Sequence, residues 1–174
     1  MGMQTTRRRV PEFLIIIGSA VFVAVLWLSA YYEADIRWLH FFQAWMYVAA
    51  VALATRGNRW GYFIGFSAAV FWDYNIFVNT FVRSGLHWLA ESIRTGQLHR
   101  IDQIIAVPAW VGNMMVVVGS LWGYTRLGHK DRLDVARVAA AFVLTTAFFA
   151  ADMAIFQPRY LSLFRGVVHP HRPW

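Results

Sequence analysis

Cysteine is absent from this chain, and charged residues are scarce. Without cysteine, its 174 residues cannot form a disulfide, a thiolate metal site, a cysteine nucleophile or a dithiol redox pair. The single lysine, Lys130, lies outside every long apolar segment, which excludes a retinal Schiff base within a helix. Charged residues make up 14% of the chain, whereas an ordinary soluble domain carries about 25%. The composition therefore argues against a soluble fold.

Motifs for nucleotide-driven chemistry are also missing. The sequence contains no P-loop, no dinucleotide fingerprint and no clustered aspartates of the kind that bind magnesium and lipid pyrophosphates. We find no internal repeat that joins the two halves, as inverted-repeat transporters have. Neither a nucleotide-driven activity nor an autonomous transporter is expected.

Apolar residues dominate what is present, at 59% of the chain with nine tryptophans. Five segments approach the length of about 20 residues that crosses the hydrocarbon core of a bilayer. We predict an all-α integral membrane protein with about five transmembrane helices, forming a single polytopic membrane domain over residues 1–174. The predicted spans are Phe13–Tyr32, Trp38–Ala54, Trp60–Phe81, Ile104–Tyr124 and Val138–Phe156.

Basic residues flank these spans and predict an orientation. If five spans alternate, nine of the 16 Lys and Arg residues lie on the side of the N-terminus and seven on the other side. Because cytoplasmic loops carry the excess of Lys and Arg, we expect a cytoplasmic N-terminus and the C-terminus opposite, in a bacterial cytoplasmic membrane. The formal net charge of +7 is spread around apolar spans as membrane anchors are, so the expected partner is the lipid bilayer and not nucleic acid.

Small residues form smooth faces on three predicted helices. Such faces let two helix backbones approach closely. We favour packing within one bundle, but contact with other membrane subunits or with a second copy of the chain stays open. The faces are Gly61, Gly65 and Ala68 in the third span, Gly112, Val116, Gly119 and Gly123 in the fourth, and Ala136, Ala140, Val143, Ala147, Ala151 and Ala154 in the fifth.

The segment between the third and fourth spans is too polar to cross a membrane. Over residues 82–95, apolar side chains such as Leu86 and Ile93 alternate at helical spacing with polar ones such as His87 and Arg94. This pattern predicts an amphipathic helix that lies in the membrane interface. We expect Gly96 to end it.

Polar residues inside the predicted spans fall mainly in the non-cytoplasmic half. Because polar groups are costly in hydrocarbon, they should face the bundle interior or a hydrated cavity. They predict a ligand-binding pocket in which Asp73 is the central residue. Structural roles compete with this prediction. They are bonding between helices for the amides of Asn75 and Asn79, ion pairing with Arg159 or another cation for Asp152, and a structural pairing inside the bundle for Asp73. The predicted pocket residues are His40, Gln43, Trp72, Asp73, Asn75, Asn79, Asn113 and Asp152.

Histidine and carboxylate side chains predict a competing metal site. His87 and Glu91 are four residues apart, and His99 and Asp102 three apart. Imidazole and carboxylate groups can bind zinc, copper or iron. The stronger H-E-x-x-H pattern is absent, so a transition metal is the minority hypothesis and no cofactor is assigned.

Two functions follow from these patterns. The favoured one is a ligand-binding module or a non-catalytic subunit of a membrane complex, which binds a lipid, quinone, pigment or small amphipathic solute. The alternative is a membrane-embedded metal-dependent enzyme or redox subunit. Five spans and many tryptophans resemble the tryptophan-rich sensory protein family, which binds porphyrin-like and sterol-like ligands. However, its proline- and tryptophan-rich first loop has no counterpart near Tyr31–Trp38, so we assign no family.

Overall fold

The computed structural model describes residues 9–78 and 81–161, and within these ranges all regular structure is helical. Two short 3-10 turns span Ala34–Ile36 and Pro158–Leu161. Gly96 adopts a positive φ of 70° directly after the helix Phe81–Thr95, which confirms the predicted end of that helix. The helices are α1 Val10–Tyr32, α2 Arg37–Ala54, α3 Arg59–Val78, α4 Phe81–Thr95, α5 Ile101–Ile104, α6 Ala106–Thr125 and α7 Asp134–Phe156.

Within the described residues, three helical segments are long and apolar enough to cross a membrane: Val10–Tyr32, Ile101–Thr125 and Asp134–Phe156. They include the predicted first, fourth and fifth spans. The predicted second span and residues 60–78 of the predicted third span are also helical, in α2 and α3, but length and composition do not establish them as spans. The physical reason is their polar content, because α2 contains Arg37, His40 and Gln43, while α3 contains Asp73 and Asn75.

Four of the long helices close into a ring. Helix α1 packs against α2, α2 against α3, α3 against α6, and α6 back against α1. Helix α7 lies outside this ring and packs against α3 and α2. The main apolar core includes Phe22, Tyr47, Ala68, Val116 and Phe149, so every helix of the ring and α7 contribute to it.

Glycines set a close contact between α1 and α6. A Cβ atom added at Gly18 would lie 2.4 Å from the Gly112 carbonyl oxygen, and one added at Gly112 would lie 2.8 Å from that of Gly18. About two turns after Gly112 on α6, a Cβ added at Gly119 would lie 2.8 Å from the Pro11 carbonyl oxygen. Gly65 of α3 similarly faces Ala50 and Ser120. The small-residue faces predicted on α3 and α6 therefore pack within the molecule.

The small-residue face of α7 has the opposite placement. All of its members are exposed, whereas Ala141, Thr145 and Phe149 on another face of α7 are buried. The exposed members are Ala136, Ala140, Val143, Ala147, Ala151 and Ala154. Contact of this face with another subunit stays a prediction.

Helix α4 turns only part of its predicted apolar side inward. Val82 is buried, and Gly85 lies against the backbone of Gln103 and the side chain of Val107. Leu86 and Ile93 are 48% and 76% exposed. This outward apolar surface is what an interfacial helix would bury in lipid.

An ion-pair network centred on Asp134 joins three helices at the end of the bundle where α1 begins. The Asp134 carboxylate accepts hydrogen bonds from Arg59 (2.7 Å), Arg137 (2.7 Å), Tyr124 (3.1 Å) and the Asp131 backbone amide (3.0 Å). Asp134 thus links the start of α3, the end of α6 and the start of α7. Asp131 also pairs with Arg137, and hydrogen bonds from the Leu133 backbone amide and from Arg137 hold the pKa of Asp131 below its usual value.

We predict that Asp134→Asn lowers the thermal midpoint of unfolding more than Asp131→Asn does. Asparagine cannot replace the two charged hydrogen bonds of Asp134, and both arginines then lose their shared anion. Asp131 contacts Arg137 without contacting Arg59, which makes it a matched control. Tryptophan fluorescence followed during heating in detergent measures both midpoints. Equal midpoints would show that the link to α3 contributes nothing to stability.

A second set of ion pairs lies at the opposite end of the bundle. Arg159 contacts Asp35 at 2.6 Å and Glu33 at 3.9 Å, and the Gln157 amide donates to the Asp35 backbone oxygen at 2.8 Å. Both Asp152 oxygens lack a hydrogen-bond partner in the protein, so the structure does not show the alternative in which Asp152 pairs with Arg159. Arg159 instead ties the end of α7 to the connection between α1 and α2.

Candidate functional site

The centre of the candidate site is a buried hydrogen bond between α2 and α6. The Tyr47 hydroxyl donates to Asn113 Oδ1 at 2.8 Å, and both side chains are fully buried. This bond uses the amide oxygen of Asn113, while its Nδ2 has no hydrogen-bond partner in the protein. Both N–H donors of the amide nitrogen therefore remain for another group.

Asp73 of α3 lies beside this pair. Its carboxylate interacts electrostatically with Asn113 and with Tyr47, but it is not in hydrogen-bond geometry with either. Asp73 is only 7% exposed, and neither of its oxygens has a hydrogen-bond partner in the protein. The structure thus brings together the predicted residues Asp73 and Asn113, with Tyr47 as a third member.

Gln43 and His40 extend the polar face of α2. Residues 40, 43 and 47 recur at helical spacing, so their side chains lie along one side of α2. Gln43 is fully buried, and both polar atoms of its amide lack a partner in the protein. His40 Nδ1 donates to the Leu26 carbonyl oxygen at 2.7 Å, because that oxygen can only accept. His40 therefore joins α2 to α1, and Gln43 is the one with uncommitted groups.

Trp72 lies in a group of packed aromatic rings, and Asp152 lies close to one of them along α7. The Phe22 ring packs against Tyr47 with centroids 4.5 Å apart and against Trp72 at 6.2 Å. The Phe149 ring packs against Trp72 at 5.6 Å, and Asp152 follows Phe149 by about one helical turn. Asp152 is 5% exposed, and both of its oxygens and Trp72 Nε1 lack partners in the protein.

Asn75 has a local contact. Its Nδ2 donates to the Phe71 carbonyl oxygen at 2.7 Å, four residues earlier on the same helix. Because Asn75 lies about 200° around α3 from Asp73, the two side chains point in different directions. Asn79 lies outside the described residues.

The four predicted metal ligands lie on α4 (His87 and Glu91), on the turn that follows it (His99) and on α5 (Asp102). Arg94 binds the Glu91 carboxylate through two nitrogens and holds the pKa of Glu91 below its usual value. Arg100 binds Asp102 in the same way, and His99 contacts Thr95. His87 packs beside Trp88. Over residues 9–78 and 81–161 no group of three histidine, aspartate or glutamate residues is placed to hold a metal ion, so the structure does not assemble the predicted set.

Sequence reasoning missed Tyr47, the residue that hydrogen-bonds Asn113. The signal that distinguishes it from the other tyrosines is its spacing of four residues from Gln43. Two polar groups one turn apart share a face of the helix, so this spacing could have predicted Tyr47 as a member of the site.

Comparison with known proteins gives no relative: no family model, no curated protein and no solved structure matches the chain.

The side chains of the candidate site show which chemical groups are present there. Gln43 and Asn113 offer amide N–H donors, Asp73 and Gln43 offer oxygen acceptors, and Phe22 and Trp72 offer flat apolar surfaces. These groups can bind a molecule that has both an apolar body and a polar end.

Proposed function

We propose that the protein is a small membrane-embedded ligand-binding module, or a non-catalytic subunit of a membrane complex, and that its ligand contacts Asp73, Gln43 and Asn113. The observation that supports this most is the set of buried polar atoms without partners on these three residues. A buried donor or acceptor without a hydrogen bond costs about 1–3 kcal/mol. Unpartnered groups of this kind are explained by a ligand that supplies the missing partners.

The proposed membrane topology has five spans, with α2 and α3 crossing beside the three more apolar segments. Both helices belong to the ring formed with α1 and α6, and Tyr47 of α2 and Asp73 of α3 lie beside Asn113 of α6. Polar residues inside a membrane bundle are expected to have this placement. With the N-terminus cytoplasmic, Asp73 lies about 21 Å along α3 from Arg59, in the non-cytoplasmic half.

The ligand class follows from the shape and chemistry of the site. Aromatic rings at Phe22, Trp72 and Phe149 provide apolar walls, and the amides and carboxylate provide a few polar contacts. Such a mixture is typical of small-molecule sites. We propose a lipid, a quinone, a pigment or another small amphipathic solute.

We predict that Asp73→Asn reduces retention of the co-purified ligand about tenfold, since a hydrogen bond to a charged group contributes about 1.5–3 kcal/mol. The protein is purified in nanodiscs, extracted with solvent, and the extract is quantified by mass spectrometry and ultraviolet–visible absorption. Asp35→Asn is the control, because Asp35 is exposed and pairs with Arg159 outside the proposed ligand site.

Two outcomes would contradict the proposal. The wild-type extract could contain no compound at a stoichiometric level beyond the nanodisc lipids. Alternatively, Asp73→Asn could retain as much ligand as Asp35→Asn. Either result would assign the buried polar groups a role in helix packing alone.

A further inference from the structure

Helix α4 is fixed against the start of a candidate membrane span. A Cβ atom added at Gly85 would lie 2.7 Å from the Gln103 carbonyl oxygen and 3.1 Å from the Val107 side chain. Gln103 and Val107 both belong to a segment that is long and apolar enough to cross a membrane. The His99 backbone amide also donates to Ser92 Oγ at 3.0 Å. These contacts determine which side of α4 packs on the protein and which side faces outward.

The outward side of α4 carries apolar and charged residues in a fixed order. An α-helix turns by about 100° per residue. Counted from the buried Val82, the exposed residues Ile93 and Leu86 lie about 20° and about 40° around the helix. Arg83 follows at about 100° and Glu91 at about 180° in the same direction. The order is therefore the bundle, an apolar stripe, a guanidinium and a carboxylate.

This order matches the layers of a bilayer surface. An apolar stripe next to the bundle, formed by Leu86 and Ile93, would contact acyl chains. The flexible stem of an arginine such as Arg83 carries its charge outward from apolar surface to the headgroups. Glu91 lies on the far side of the helix from Val82, where it faces water. A bilayer beside the bundle would therefore meet a matching group at each level.

The basic residues of this region differ in whether a carboxylate already binds them. Arg94 is held by Glu91 through two nitrogens, and Arg100 is held by Asp102 in the same way. Arg83 is exposed, and among the residues that the structure describes no carboxylate pairs with it. A guanidinium presents its N–H groups in a fork that fits two phosphate oxygens. Arg83 is thus the cation of α4 that can bind a phosphate.

We propose that the outward side of α4 docks an anionic phospholipid, whose phosphate lies at Arg83 and whose acyl chains cover Leu86 and Ile93. A soluble anion would use Arg83 but would leave the apolar stripe in water, whereas a phospholipid covers both. This lipid is distinct from the ligand proposed at Asp73, because α4 contributes no residue to that site.

The test measures which phospholipid lies beside α4. Because the chain has no cysteine, Ile93→Cys provides a single position for a bimane label on the apolar stripe. The labelled protein is placed in bilayers of phosphatidylcholine and phosphatidylglycerol, in which one lipid or the other carries brominated acyl chains that quench the label. Comparison of the two quenching curves gives the relative binding constant. We expect about a fivefold preference for phosphatidylglycerol, the size expected from one arginine near an anionic surface.

Variants in the labelled background assign the preference to a residue. Arg83→Gln should abolish the preference, and Arg83→Lys should retain it because the charge remains. Arg56→Gln is the matched control, since it removes one exposed positive charge near the start of α3, at the opposite end of the bundle. It should leave the preference unchanged.

Three results would overturn the proposal. The first is an absence of quenching by either brominated lipid, which would show that α4 lies away from acyl chains or is covered by a protein. The second is an unchanged preference in Arg83→Gln. The third is an equal loss in Arg56→Gln, which would assign the preference to the net charge of the whole protein.

Discussion

Gly18→Val is expected to destabilise the bundle by about 3 kcal/mol, at the upper end of what overpacking typically costs. The Cβ of any residue at position 18 would lie 2.4 Å from the Gly112 carbonyl oxygen and 2.9 Å from the Met115 Cβ. The nearest atom is backbone, so no side-chain rotation relieves the clash. The two helices must separate, which loses their van der Waals contact along the whole seam.

The matched control for Gly18→Val is Ala20→Val. Ala20 lies two residues further along the same helix and is exposed, so the added methyl groups meet no neighbouring helix. Helix propensity changes little between alanine and valine in comparison with the expected clash. Unfolding is followed by tryptophan fluorescence in detergent at rising temperature. A similar loss in both variants would show that α1 and α6 do not pack as closely as the structure indicates.

The helices of this protein could be predicted from sequence better than their roles. Long apolar runs bounded by charge define α1, α6 and α7 closely, since hydrophobicity and length alone decide them. The same measure is ambiguous for α2 and α3, because the polar residues that suggest a site also lower their hydrophobicity. Sequence alone located the small-residue faces, but not their partners. The faces of α3 and α6 are buried in the bundle, and that of α7 is exposed.

The candidate site could be predicted in part. Asp73, Gln43 and Asn113 stood out because polar residues within apolar helices are rare and costly. Their convergence depends on how three helices rotate against one another, which a single sequence does not encode locally. Tyr47 and the ion pairs of Asp134 depend on the same long-range packing. The hydrogen bond that Glu12 of α1 accepts from Tyr62 of α3 also depends on this packing.

Gln43→Met is expected to stabilise the ligand-free protein by about 1–3 kcal/mol while weakening retention of the ligand proposed at Asp73. Gln43 is fully buried with both amide atoms unpartnered in the protein. Methionine has a similar length and volume but no amide to desolvate, and it adapts well to irregular packing. A gain in stability with a loss of binding is the pattern expected where a protein keeps uncommitted polar groups for a ligand.

The direction in which Gln43→Met changes the midpoint of thermal unfolding shows whether Gln43 is kept for a ligand or for helix packing. Gln157→Met is the control. The Gln157 amide donates to the Asp35 backbone oxygen at 2.8 Å, so its replacement removes a hydrogen bond that exists. We therefore expect Gln157→Met to lower the midpoint of thermal unfolding and Gln43→Met to raise it, both measured in the same detergent after solvent-extractable ligand has been removed. If Gln43→Met instead lowers the midpoint, the Gln43 amide is a structural bond between helices. Retention measured by mass spectrometry then tests Asp73 alone, because Gln43 would no longer belong to the proposed site.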